Sequence, residues 1–239
     1  MSNSPLVSYT KISPNRSSRK GNKIDMVIIH CVVGQASVEA LGSRFAQSSV
    51  GASSNYGIGA DGRIGMYVEE SERAWCSGGT DSNGNPIRVN GISGADIDRR
   101  AVSIECACDA YAPYKINDKV YASLIKLLAD ICERNGITEL KWQGDKSLVG
   151  NVAKQNMAVH RWFAYKSCPG DYIYNLHPQI VKAVNAILEG DEDMTQEKFN
   201  ELANNWLNSL SEKSASNYAQ DALSWGKSTG LLNGNEQGN

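Results

Sequence analysis

A run of four apolar residues, Met26-Val27-Ile28-Ile29, ends on His30. A second histidine stands 130 positions downstream and opens the segment His160-Arg161-Trp162-Phe163-Ala164-Tyr165-Lys166-Ser167-Cys168-Pro169. A fold that uses these residues together has to bring the end of a buried strand against a segment from the last third of the chain. Two imidazoles and one thiolate make a three-ligand zinc set. Three protein ligands leave the fourth position to water, which is the catalytic arrangement rather than the structural one. The chemistry it suggests is metal-assisted hydrolysis. Taken singly, a histidine at a strand end is most often a hydrogen-bonded core residue, and a cysteine a small buried hydrophobe. The joint pattern carries the argument, because the chain has only three histidines. The third, His177, precedes Pro178 in a polar stretch and reads as a surface or helix-start residue.

The order of elements frames this set. Met26 to His30 reads as a short buried strand. Residues 37–47 read as a helix with Ser37 as N-cap and Val38, Leu41 and Phe45 on one face. Residues 55–60 and 63–68 flank Asp61-Gly62, a signal for a two-residue hairpin turn. Residues 77–99, rich in Gly, Asn, Ser and Asp, read as a long loop. A strand is predicted over 101–107. A helix capped by Asp118 and ended by Gly136 follows, with Tyr121, Leu124, Ile125, Leu128 and Ile131 apolar. Residues 157–162 read as a short strand or extended loop carrying His160. A last helix is marked by Ile180, Val181, Val184, Ile187 and Leu188. The expectation is an α/β fold, a mixed central β-sheet flanked by helices.

Charge divides the chain. After Gly190 there are eight acidic and three basic residues, whereas the formal net charge of the whole is only -2. This supports two domains, 1–190 for catalysis and 191–239 as a small helical C-terminal unit. In the second unit Phe199, Leu202, Trp206 and Leu210 recur at helical spacing. Its Trp225 and Gly230-Leu231 resemble weakly the endings of small helical repeats in wall-associated proteins, which leaves two readings of 191–239 open: wall binding or self-association, and an incompletely formed helical appendage. No apolar run reaches membrane-spanning length, and no basic start leads into an apolar stretch. Synthesis in the cytoplasm without a signal peptide is therefore expected, with mostly reduced cysteines. Neither membrane insertion nor a nucleic-acid partner is expected.

Several blocks together resemble the zinc-dependent N-acetylmuramoyl-L-alanine amidases of the second amidase family, which includes phage-lysozyme-type endolysins and shares its fold with peptidoglycan recognition proteins. The blocks are Ile28-Ile29-His30, Ser54-Asn55-Tyr56-Gly57-Ile58-Gly59 with Asp61-Gly62, Arg73-Ala74-Trp75, Arg100-Ala101-Val102-Ser103-Ile104-Glu105, and His160 through Cys168-Pro169-Gly170. The resemblance runs over about residues 9–190. The resemblance implies zinc on His30, His160 and Cys168, a catalytic glutamate at Glu105 and a basic catalytic residue at Lys166. It also implies a tyrosine beside the metal at Tyr56, and offers Asn55 and Trp75 as substrate contacts. Many relatives carry histidine where this chain has Cys31 and Cys76, so contacts near Cys76 are expected to differ.

The residues support these roles on physical grounds. Alternation along a strand puts Ser103, Glu105 and Ala107 on one face, with Val102, Ile104 and Cys106 in the core. Glu105 then suits a general base that holds a water and passes a proton to the leaving amine. Lys166 and the Tyr56 phenol are able to stabilise an oxyanion. The function implied is hydrolysis of the bond between the muramoyl lactyl group and L-alanine in peptidoglycan, in a phage or prophage endolysin that reaches the wall after release. A cytoplasmic muropeptide-recycling amidase and a non-catalytic peptidoglycan-binding module remain as alternatives.

Overall fold

The computed structural model of the protein describes residues 3–190. The expected helical unit at 191–239 lies outside the described residues. Among the described residues ten strands and four α-helices run in chain order: β1 (Tyr9–Thr10), β2 (Arg16–Ser18), β3 (Met26–Cys31), α1 (Val38–Phe45), β4 (Tyr56–Ile58), β5 (Ile64–Met66), β6 (Glu72–Ala74), β7 (Arg88–Val89), β8 (Ile92–Ser93), α2 (Gly94–Asp98), β9 (Ala101–Cys106), α3 (Asp118–Asn135), β10 (Met157–Ala158) and α4 (Gly170–Leu188). Six strands form one sheet in the order β1-β5-β4-β9-β3-β10. Only β4 and β5 are antiparallel; the other neighbours are parallel. This is the mixed, helix-flanked α/β sheet that the sequence predicts.

Register decides which side chains share a face. His30 pairs with Glu105 across β3 and β9, and Gly57 of β4 pairs with the same Glu105. The preceding row is Ile29, Ile104 and Tyr56. Because side chains alternate along a strand, the two rows point to opposite faces. On the first face, Met26, Ile28 and Ala101 pack with Ile97, Trp162 and Phe163 into one core cluster. Under α1 a second cluster joins Leu41, Phe45 and Tyr67. There Gly57 is required, because a Cβ would meet the Tyr67 ring at 2.8 Å. The other face is covered by α3 and α4, which also pack against each other.

The helices form for the reasons read in the sequence, with local corrections. Ser37 caps α1 by accepting from Ala40 N–H. The apolar stripe of α3 is buried at all five positions expected, but its N-cap is Asn117, not Asp118. The β4–β5 hairpin closes with Gly59 N–H on the Arg63 carbonyl, which leaves a three-residue loop rather than two, and only Gly62 of the Asp61-Gly62 pair has positive φ. The predicted loop at 77–99 contains the β7–β8 hairpin and α2. Its Asn90-Gly91 turn, with positive φ at both residues, and its Ser93–Asp96 capping box are both sequence-level signals that the polar composition masked.

The last helix starts ten residues before the apolar positions that announced it. Gly170–Leu188 runs through Pro178, and His177 is fully buried inside it. The His177 Nδ1 bonds to the Ile173 carbonyl at 2.8 Å, and its ring lies 4.3 Å from that of Trp142. His177 is thus a packed core residue, not a surface one. No described helix is long and apolar enough to cross a membrane.

Candidate active site

The parallel strands β3 and β9 end side by side, and each carries one polar residue into the same space. His30 comes from β3 and is 1% exposed. His160 opens a single 3-10 turn directly after β10, and Cys168 stands just before α4. The fold closes these three into one cluster, with a ligand atom of each within 4.8 Å of the others. Cys168 Sγ lies 3.4 Å from His30 Nδ1. The two imidazoles meet edge to face, with ring centroids 5.3 Å apart.

This geometry fits a zinc ion. Zinc–nitrogen and zinc–sulfur bonds of about 2.0 and 2.3 Å at a tetrahedral angle put the two ligand atoms about 3.5 Å apart, close to the His30–Cys168 separation. Each ring keeps a buried Nε2 without a partner among the described residues; for His30 this is the nitrogen on the side of the ring away from Cys168. Burial drives the His30 pKa well below its usual value, with neighbouring His160 and Lys166 adding to the effect. Burial and then Lys166 lower His160 to about 4. Both rings are therefore neutral at neutral pH, the state in which imidazole binds a metal.

Glu105 stands beside this set. Burial raises its pKa to about 7, and the cations Lys166 and Arg44 pull it part of the way back. One carboxylate oxygen accepts a long bond from the Cys76 thiol at 3.9 Å, and the other, Oε2, is buried without a partner among the described residues. Cys76 is held in place by Asp98, a buried carboxylate that accepts the backbone N–H groups of Cys76 and Ser77 at 3.0–3.2 Å. A groove of about 800 Å³ opens over the cluster. Its walls include Ala40 and Arg44 of α1, Trp75, Tyr165 and Lys166. Cys31, the last residue of β3, also lines this groove.

The sequence-predicted residues divide into two groups. His30, His160, Cys168, Glu105, Lys166 and Trp75 all line or border the groove. Tyr56 and Asn55 do not. Tyr56 belongs to the opposite face of the sheet, where its hydroxyl accepts from Ser4 N–H at 2.9 Å and donates to Glu70 at 2.6 Å. Burial and Glu70 raise its pKa further. It cannot serve an oxyanion on the other side, and that expectation is corrected. Asn55 is fully buried; its amide donates to the carbonyls of Val68, Glu69 and Glu72, and its Oδ1 accepts Ser103 N–H. Its bonding capacity is spent on the fold, so it is no substrate contact.

Sequence reasoning missed Arg44 and Asp98. Arg44 was legible as the residue one helical turn beyond Ala40, on a stripe that starts at Ala36. Asp98 carried no signal, because its role depends on a contact across more than twenty residues.

Residues 20–171 match a family model described as N-acetylmuramoyl-L-alanine amidase. No curated protein matches the chain. Among solved structures, a selenomethionine derivative of AmpD is similar with a TM-score of 0.52 at 18% identity, covering 76% of this chain and 95% of that one. That likeness is one of fold. The endolysin amidase LysCS from Clostridium intestinale is 16% identical, with a TM-score of 0.45 over 73% of this chain and 92% of its own. The Drosophila peptidoglycan recognition protein SA is also 16% identical, at 0.43, over 66% and 79%.

Proposed function

Because the chain belongs to the N-acetylmuramoyl-L-alanine amidase family over more than half its length, we propose that it cuts the amide between the muramoyl lactyl group and L-alanine in intact cell wall, as a phage or prophage endolysin. The observation that carries the chemistry is the convergence of His30, His160 and Cys168 next to a carboxylate with an unpartnered oxygen. The wall-cleaving role rests on the motif resemblance and on an accessible groove, whose mouth carries Tyr165 at 84% exposure and Val33 at 52%.

In this reading His30, His160 and Cys168 hold a zinc ion. When bound, it supplies a Lewis acid and lowers the pKa of a water. Burial keeps both imidazoles neutral, so their lone pairs are available to the metal. Glu105 takes the proton of the attacking water on Oε2 and passes it to the departing alanine nitrogen. Lys166 puts an ammonium group beside the third ligand, where negative charge develops on the carbonyl oxygen. Trp75, with its indole N–H tied to Ser17 Oγ at 3.1 Å, offers a fixed wall to the substrate. The unit at 191–239 would bind wall or self-associate, and the protein would act after release from the cell that made it.

Digestion of purified sacculi and of soluble muropeptides, read by mass spectrometry and a reducing-sugar assay, tests this. Sacculi should yield new free amines on L-alanine and no new reducing ends. Cleavage of soluble fragments alone would make the protein a recycling amidase, and binding without cleavage would make it a recognition module. Purified protein should carry about one zinc per chain, and Cys168→Ala should lose turnover.

A further inference from the structure

Two of the three proposed ligands, His160 and Cys168, bound a single segment. After the 3-10 turn at His160–Trp162 that segment has no helix or strand until α4 begins at Gly170. It is closed instead by one residue, Arg161. The Arg161 Nη2 donates to the Ser167 carbonyl at 2.6 Å. Its Nη1 meets Asp171 Oδ1 at 2.9 Å, and its guanidinium carbon lies 4.9 Å from the centre of the Tyr174 ring. Its backbone N–H donates to the carbonyl of Cys168 itself at 3.1 Å. The neighbour of one ligand thus grips the residue before the other ligand, that ligand's own backbone, and two residues of α4.

We propose that Arg161 is a positioning residue for the metal: it closes the 160–168 segment so that His160 and Cys168 already stand at ligand spacing before the ion arrives. This rests on the ligand set given under the proposed function. The contacts are unequal. Asp171 is 76% exposed, so its ion pair is screened and adds little. The Ser167 carbonyl and the Tyr174 face are the effective grips, and they require a planar fork that donates in the plane while its face covers a ring. Lysine, with a compact ammonium, cannot do both.

Outer groups that orient metal ligands typically change affinity by about 10–100-fold when removed. Arg161 orients ligand backbone rather than a ligand ring, and the same range is expected. The test uses the full chain, made metal-free, with zinc in competition against a chromophoric chelator. The melting temperature of each metal-free variant is read alongside. Arg161→Ala should bind zinc about 10–100-fold more weakly and release it faster, while its metal-free melting temperature stays near that of the wild type. Arg161→Lys should fall between the two, and Asp171→Asn should stay within about twofold of the wild type.

Unchanged zinc affinity in Arg161→Ala overturns the proposal. So does a weaker affinity that is accounted for by a lower metal-free melting temperature, since Arg161 would then stabilise the fold and not the seat. Equal losses in Asp171→Asn and Arg161→Ala would trace the effect to the ion pair and overturn the closure through Ser167. A wild-type chain that takes up no zinc overturns the ligand set itself, and this inference with it.

Discussion

Two buried polar clusters stand back to back on the central sheet, one residue apart in register, and they are finished to different degrees. Behind the sheet, Glu70 is completely buried, yet each of its oxygens is engaged. Oε1 accepts the Tyr56 hydroxyl and Arg134 Nη2, both at 2.6 Å, and Oε2 accepts Arg134 Nη1 at 3.0 Å and the Asn135 amide at 2.9 Å. Arg134 reaches on to Asp130 at 2.8 Å. In front, His30, His160 and Glu105 each keep a buried polar atom with no partner among the described residues. Buried polar groups are normally paired, and leaving one unpaired is costly. A cluster satisfied from within needs nothing more and serves as structure. A cluster that keeps such vacancies has bonding capacity left over, as the proposed ligand site requires.

Glu105→Gln tests the front cluster and should have the largest effect. Turnover should fall about 10²–10⁴-fold, equivalent to about 2.7–5.5 kcal/mol of barrier, while zinc content is unchanged. The same variant carries a pH signature in the metal-free protein. The folded-state pKa of Glu105 lies near 7 against an ordinary 4.5, so its protonated form is favoured by folding. That contribution is fully present below about pH 4.5 and is lost as pH rises through about 7. Metal-free Glu105→Gln should therefore melt above the wild type at pH 8 and level with it at pH 4. Equal melting at both values would mean that Glu105 is solvated and that its Oε2 is not a buried vacancy.

Arg134→Ala tests the cluster behind, and its effect should fall on stability alone. It leaves the Glu70 carboxylate, 0% exposed, without its main partner. Breaking such a buried pair typically costs about 3–5 kcal/mol, measurable by urea denaturation. Below its melting transition the variant should retain wild-type zinc content and turnover number. A folded Arg134→Ala chain with impaired catalysis would join the two clusters and undo the contrast.

That contrast also explains what was legible in the sequence. His30 was legible because an apolar run ends on it, and Glu105 because polar and apolar residues alternate around it from Ser103 to Ala107. Both inferences use the period of one strand, which the chain states locally. Tyr56 was misread because its face is set by pairing between strands: it lies opposite Ile104, and Gly57 lies opposite Glu105. Strand-to-strand register is a long-range property, and a shift of one residue reverses every side chain. Asn55 failed for a related reason, since a motif shows that a polar residue is needed without showing that four backbone groups use it. The buried His177 depended on Trp142, far away in sequence, and on a helix that runs through a proline.

Tyr56→Phe gives the smallest expected effect and the sharpest division between the two faces. Removing the hydroxyl takes one donor from the buried Glu70 carboxylate and leaves Ser4 N–H without its acceptor. Hydrogen bonds to charged groups contribute about 1.5–3 kcal/mol. The ring itself still fills its place in the core, and Arg134 and Asn135 still bind the carboxylate, so the loss should lie toward the lower end of that range. Were the phenol an oxyanion donor, its removal would instead lower the turnover number by about 10²–10³-fold with little change in stability. The two outcomes move different observables. A chain that unfolds at lower denaturant while turning over substrate at the wild-type rate assigns Tyr56 to the closed cluster behind the sheet. A stable chain with collapsed turnover would require Tyr56 to reach the groove, against the register of β4 on β9.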